Sequence, residues 1–571
     1  MLRTSKQMNV DFIERDILLA SLNKNYQRIL LTVIIIGAFL RVFHFFDNRS
    51  LWIDELYLNV NLIKMNFIDL LTKPMDYQQK APLGYLWMTK LSVLLFGKGE
   101  RALRLSSLVG GIASILLFVP VARFFLKPWS VIIAVGILAF GEPFVYYTTE
   151  AKQYGIELLA SVLALYLFVK FQHRLEVKHL LLWGITGGIL VWFSNSSIFV
   201  LAGIGIVVSC NLLLKGEWKS LFFKLIPFGM WLVSFALVYF LFLRNYADSG
   251  WLKDFFETGC NAFLPLFSPL SENIEWFAYT HYILLERNLG MLVKFGKNIV
   301  GPDIKDYSTV QTFFRLPFLP ILLELVGVVA LFRRNKYRLF ILVVPIALTL
   351  VASAFKAYPF FERLIIFLAP LFILLISYGA QVTAEAFGRR NRNLVASILV
   401  LLLLFPPTWN AIRFTVAPDR LLKKEYNREA MLYVNDRYKE GDAVYVYWNV
   451  NHAYKYYKEA YNLKYDAVGR DDLRHATATK QEYYDKVRQQ FGDLSDKKRI
   501  WIVHSPELRN NIGDYVSPHL RTPKWYYNEN FSPGKELEKI AHEFGAAPID
   551  SFHRQNISGH NIMVKLYVLN K

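Results

Sequence analysis

Through roughly the first 410 residues the chain alternates between long apolar runs and short polar stretches. The runs lie near 29–46, 102–122, 129–147, 153–171, 179–194, 197–214, 222–243, 318–333, 338–355, 362–380 and 393–410. Many are uncharged over roughly 18–22 residues, and about 20 apolar residues in helical form cross a hydrocarbon core of about 30 Å. Backbone amides in lipid must be satisfied within their own segment, so each run predicts a membrane helix. The expectation is a polytopic α-helical membrane protein with about eleven spans.

The pattern changes in three places. In 47–101, Leu56, Val60, Ile63, Phe67 and Leu70 recur at helical spacing, with Asn59, Asn61, Lys64, Asn66 and Asp69 on other faces. This predicts an amphipathic helix in the membrane interface. A second short helix is expected over 83–96, ended by Gly97 and Gly99. The stretch 244–317 is long for a plain connection and suggests a lid. From about 420 charged residues become frequent. The runs 443–448, 499–503 and 562–569 are strand-like, with a helical pattern over 478–491 between them. This predicts a small α/β domain over 411–571 containing a parallel sheet.

Charge then orients the spans. If the N-terminal segment 1–28 (Arg3, Lys6, Arg15, Lys24, Arg28) is cytoplasmic, alternate loops should be basic. They are: Arg123 and Lys127; Lys170, Arg174 and Lys178; Lys215 and Lys219; Arg333, Arg334, Lys336 and Arg338; Arg389, Arg390 and Arg392. An odd number of spans places 47–101, 244–317 and the C-terminal domain outside a cell inner or plasma membrane. The net charge of +19 is thus spread over short loops, which argues against a nucleic-acid partner. Only 19% of residues are charged against 54% hydrophobic, well below the charge content of a soluble chain. The two cysteines, one in an apolar span, form no disulfide framework. No cleavable signal peptide is expected.

Candidate chemistry gathers at the outer face. The stretch RSLWIDELYLNV follows the first span and carries Asp54 and Glu55 side by side. Acidic residues also suit the first turn of a helix, so the pair has a plain alternative. Gln79 and Lys80 precede Pro82, which opens the next helix; Lys80 is either an interface anchor or one side of an anion site. The turn between the third and fourth spans holds Glu150, Lys152 and Tyr154. The tenth span begins with Tyr358, Glu362 and Arg363, and Arg forks onto phosphate oxygens. A polar cavity holding an anionic lipid headgroup accounts for these charges jointly, since each costs about 2.5–3.5 kcal/mol in hydrocarbon.

WIDE after the first span, KAPLGYLWMTKLSVLLFGKGERALRLSSLVGG, the turn YYTTEAKQYG and YPFFERLIIFLAPL resemble the bacterial branch of the dolichyl-phosphate-mannose protein mannosyltransferase family (glycosyltransferase family 39). The aminoarabinose transferase of lipid A is a relative. The resemblance covers roughly 29–410 and implies a type C glycosyltransferase (GT-C) fold acting on polyprenyl-phosphate sugars. It makes Asp54 the counterpart of the family's catalytic carboxylate and Lys80 that of a lysine meeting the carrier phosphate. Gln79 stands where the relative has Glu, Ala81 where it has the first of two prolines, and Lys152 where an Arg is common.

The expected reaction moves a sugar from a polyprenyl-phosphate donor to an acceptor hydroxyl on a glycan, lipid or protein. Phosphate leaves as an anion and needs cations; the hydroxyl needs a base. Asp54 is the expected base and Glu55 its catalytic neighbour, orienting the acceptor or a helix end. Lys80, Arg363 and Lys152 are the expected phosphate ligands, with Glu150, Tyr154, Gln79 and Tyr358 as further substrate-site residues. The scheme needs no cofactor, although a divalent metal is compatible with it. The competing readings are an O-antigen polymerase or ligase and a transporter, the latter disfavoured by the scarcity of acids inside the spans.

Overall fold

The structure is a computed structural model, describing residues 24–245, 253, 255–295, 307–418, 423–494, 496–505, 533–544, 547–554 and 562–568. The N-terminal segment expected over 1–28 falls outside the described residues up to residue 23. Lys24–Arg28 already belong to the first long helix, Lys24–Asp47.

Each expected span corresponds to a helix. Among the described residues eight helices are long and apolar enough to cross a membrane. A ninth is obtained if Thr309–Arg315 and Phe318–Arg334, bent by 44°, are taken together. Two runs give shorter apolar helices, Pro128–Phe140 and Val177–Phe193. The run expected at 129–147 is broken at Gly141, where Pro143 opens the separate helix Glu142–Tyr147. The protein is a multi-pass membrane protein whose central element is Glu362–Ala386, 94% buried. Trp218–Leu241, at 22%, lies on the periphery, where lipid accepts its apolar surface. Close approach at the centre requires glycine: a Cβ on Gly379 would lie 1.7 Å from the Leu323 carbonyl oxygen. Small residues at such crossings let membrane helices pack backbone to backbone.

The first inter-span segment differs from expectation. It forms two helices, Ile53–Lys64 and Phe67–Thr72, because Asn66 caps the second by accepting from the Ile68 and Asp69 amides at 2.9 and 2.8 Å. Ile53–Lys64 is covered by protein on more than its apolar face. Its asparagines are buried along with its apolar face. Asn59 donates to the Ala151 carbonyl at 3.0 Å, and Asn61 accepts from the Asp76 amide at 2.7 Å. The helix Leu83–Phe96 occurs as expected and stops at Gly97, whose φ of +88° suits glycine.

The C-terminal domain covers that segment. The last span extends to Val416 rather than 410. Beyond it lies a five-stranded sheet of order β2-β1-β3-β5-β4: β1 Ala443–Val446, β2 Ala467–Val468, β3 Arg499–His504, β4 Ala547–His553 and β5 Met563–Val568. It is mixed rather than parallel, since β5 pairs antiparallel with both β3 and β4. Helix Asn451–Tyr461 packs on Ile53–Lys64. There the Tyr57 ring stacks on Tyr77 at 4.3 Å and meets His452 edge-on at 5.0 Å.

The stretch expected to be a lid is of two kinds in its described part: Phe267, Leu270 and Ile274 are exposed, whereas residues 282–293 are built into the bundle. Leu284, Leu285, Leu289 and Leu292 are core residues. Glu286 pairs with Arg315, both buried, and Lys294 pairs with Glu142 at 2.6 Å.

Candidate functional site

The site lies where the bundle end meets the C-terminal domain, and the first helix after the first span organises it. The Glu55 amide-side partners explain the local fold. Its Oε2 accepts from the Trp52 backbone amide at 3.3 Å, closing the first turn. Its Oε1 accepts from the Ala151 amide at 2.7 Å and from Arg104 Nε and Nη2 at 3.1 and 2.9 Å. Both side chains are buried, at 0% and 2% exposure. Burial disfavours the charged carboxyl, but Arg104, Arg49 and the Ala151 amide more than offset this and hold Glu55 below the ordinary glutamate range. Glu55 thus joins the second span, the 150–152 turn and the WIDE stretch, and its oxygens face protein donors.

Asp54 points the other way. It is 27% exposed and ion-pairs with Arg363, itself 24% exposed. Burial would raise its pKa, but Arg363, Lys152 and Lys424 together hold it below the ordinary aspartate range. The Arg363 guanidinium lies 5.4 Å from the Trp52 ring centre and 5.8 Å from that of Tyr154. Such faces favour a cation.

Lys152 is buried and donates to Gln79 Oε1 at 2.7 Å. Burial pushes its pKa down to about 8, partly opposed by Asp54. Glu150 is fully buried and accepts from Trp52 Nε1 at 2.7 Å. Asp54, Arg363, Lys152, Gln79, Glu150 and Tyr154 are therefore drawn into one neighbourhood from four separate stretches. Lys80 is exposed, one residue beyond the Gln79–Lys152 contact. Tyr358 donates to the Leu364 carbonyl at 2.6 Å and packs on Phe199, which ties its hydroxyl into the bundle.

Three further groups belong to the neighbourhood. Trp52 is shared by both cation layers, because Lys424 Nζ lies 3.5 Å from its ring centre. Lys424 also lies 4.8 Å from the Tyr146 ring, and the Arg49 guanidinium 4.3 Å from it. Burial lowers the Lys424 pKa, partly opposed by Glu150. Trp52 opens WIDE and Arg49 lies three residues before it, so nearness to Asp54 was a usable signal for both. Lys424 sits in LLKKEYN, where only its position just after the last span marks it.

This architecture is the type C glycosyltransferase fold. The chain superposes on apo ArnT from Cupriavidus metallidurans with a TM-score of 0.50 at 13% identity, covering 95% of this chain and 98% of that one. ArnT from the same organism bound to undecaprenyl phosphate aligns with a TM-score of 0.49 at 13% identity, over 95% and 98% of the two chains. The Archaeoglobus fulgidus oligosaccharyltransferase in its apo form aligns with a TM-score of 0.47 at 13% identity, over 92% of this chain and 73% of that one. Residues 80–247 match the family model of dolichyl-phosphate-mannose-protein mannosyltransferase, the family that the motifs resemble. No curated protein matches the chain.

Proposed function

We propose that the protein transfers a sugar from a polyprenyl-phosphate carrier to an acceptor hydroxyl, with Asp54 as general base. The observation that carries this reading is the half-buried Asp54 carboxylate among Arg363, Lys152 and Lys424 at one end of a membrane bundle. The family match over residues 80–247 supports the reaction class.

In the proposed reaction the acceptor oxygen attacks the anomeric carbon, and Asp54 takes the hydroxyl proton. The bond from that carbon to the phosphate oxygen breaks, and polyprenyl phosphate leaves with the electron pair. Direct displacement inverts the anomeric centre. Arg363 and Lys152 offset the growing phosphate charge, and Lys80 meets the carrier at the mouth of the site. The Asp54–Arg363 pair then has a chemical use. When phosphate draws on Arg363, Asp54 loses part of the field that depresses its pKa and becomes a stronger base. Glu150, Gln79 and Tyr154 hold the cations and line the sugar side, and Glu55 positions Asp54 through the helix turn. The scheme uses no cofactor and routes no step through a metal. We place the enzyme in the cell inner or plasma membrane, with the N-terminus cytoplasmic and the site extracytoplasmic.

Lipids carried through purification in mild detergent provide the test. Mass spectrometry should find a polyprenyl phosphate or its glycoside at near one per protein. Ordinary phospholipid alone, from protein that had been loaded with such a carrier, speaks against the donor class.

A further inference from the structure

Resting on the reading above, we infer that Arg49 and Lys424 form a second half of the carrier-phosphate site.

Arg49 is 4% exposed, yet its Nε and Nη2 have no hydrogen-bond partner among the described residues. Its Nη1 donates to Thr149 Oγ1 at 3.3 Å. A buried guanidinium with open donors is costly and calls for an anion or polar ligand. Lys424 lies on the same Tyr146 ring. The charge balance points the same way. Arg49, Lys152, Arg363 and Lys424 are four cations, and Asp54 and Glu150 are the two carboxylates among them. The Glu55–Arg104 pair cancels itself. Cations thus outnumber carboxylates there, and Lys80 at the mouth adds to the excess, which suits a phosphate monoester of about −1.5 to −2. The surplus matches the departing polyprenyl phosphate better than the singly charged diester donor, and a site matched to the developing charge favours the transition state.

The segment bearing Lys424 is held in place. Lys423 pairs with Asp47 at 3.6 Å, Asn427 donates to the Leu51 carbonyl at 3.0 Å, and the Arg428 amide donates to Ser50 Oγ at 3.0 Å. These contacts flank WIDE on one side and Lys424 on the other. The start of the C-terminal domain thereby becomes part of the site.

The test is binding of farnesyl phosphate to the full-length protein in detergent, with inorganic phosphate as the control. Lys424→Met and Arg49→Met should each weaken binding by about tenfold to a hundredfold, the value of one charge-assisted contact. Lys424→Arg should bind nearly as well as the native protein. Without ligand, Lys424→Met should melt no lower than the native protein, because it removes a like-charge neighbour of Arg363 and Arg49. A purely structural lysine would show the reverse. Unchanged affinity in both Met variants, or inorganic phosphate bound as tightly as farnesyl phosphate, overturns the inference. Sugar transfer that persists while the Met variants bind normally sinks this inference alone. Binding that depends on Arg49 and Lys424 without any transfer sinks the enzymatic reading alone.

Discussion

Removing Glu55 separates the two roles carried by the adjacent carboxylates. Glu55→Ala leaves Arg104 buried at 2% exposure and strips the Ala151 amide and the Trp52 turn of their acceptor. Breaking a buried pair by removing one partner costs about 3–5 kcal/mol, because the other charge is left uncompensated. The melting temperature in detergent should fall by several degrees. Replacing both partners with apolar residues, as in Glu55→Leu with Arg104→Met, should recover much of the loss. Transfer activity should fall too, since the Asp54 turn and the Lys152 turn both hang on Glu55. The pH dependence carries the same signature. The folded-state pKa of Glu55 is depressed, so its contribution is present above the ordinary glutamate value of about 4.3 and is lost as pH falls below it. Glu55→Ala should remove that share of acid sensitivity. A Glu55→Ala protein that melts like the native one would refute the positioning role.

Lys152, with its pKa near 8, is charged at neutral pH and loses its charge as pH rises. For the free enzyme, kcat/KM for the donor should therefore decline above pH about 8, and Lys152→Arg should move that limb upward; identical limbs would count against Lys152 as a phosphate ligand. Gly379→Ala sets a Cβ against the Leu323 carbonyl and should cost about 1–3 kcal/mol, read as a lower melting temperature with unchanged pH dependence. Trp52→Leu removes the ring between Arg363 and Lys424 and the indole donor to Glu150, so donor KM should rise more than kcat falls; an unchanged KM would show that the ring organises neither cation.

Much of the bundle was legible because lipid imposes a simple rule on sequence. The spans and Leu83–Phe96 announce themselves by apolar runs and glycine stops. The burial of Ile53–Lys64 was hidden for a physical reason. An apolar stripe beside asparagines describes a helix at a membrane surface as well as one enclosed by protein, whose asparagines serve backbone groups at Ala151 and Asp76. The short strand Ala467–Val468 and the bulged Ala547–His553 carry too little pattern to stand out, and the sheet is mixed because β5 runs antiparallel to β3, a direction that strand patterns do not encode. At the site, carboxylates and cations near WIDE were visible from their placement after spans. Nothing beside Arg104 in the sequence marks it, and its pairing with Glu55 depends on a crossing that one-dimensional order hides. Lys424, 370 residues from Asp54, reaches the site only through the clamp of residues 423–428 on 47–51.

The central claim is that Asp54 is the base in transfer from a prenyl-phosphate sugar. It is tested most directly in proteoliposomes containing a labelled polyprenyl-phosphate hexose, with a cell-envelope extract as acceptor. The native protein should release polyprenyl phosphate on addition of the extract. Asp54→Asn should bind the donor and melt like the native protein, yet release none. Release by Asp54→Asn at the native rate would contradict the account.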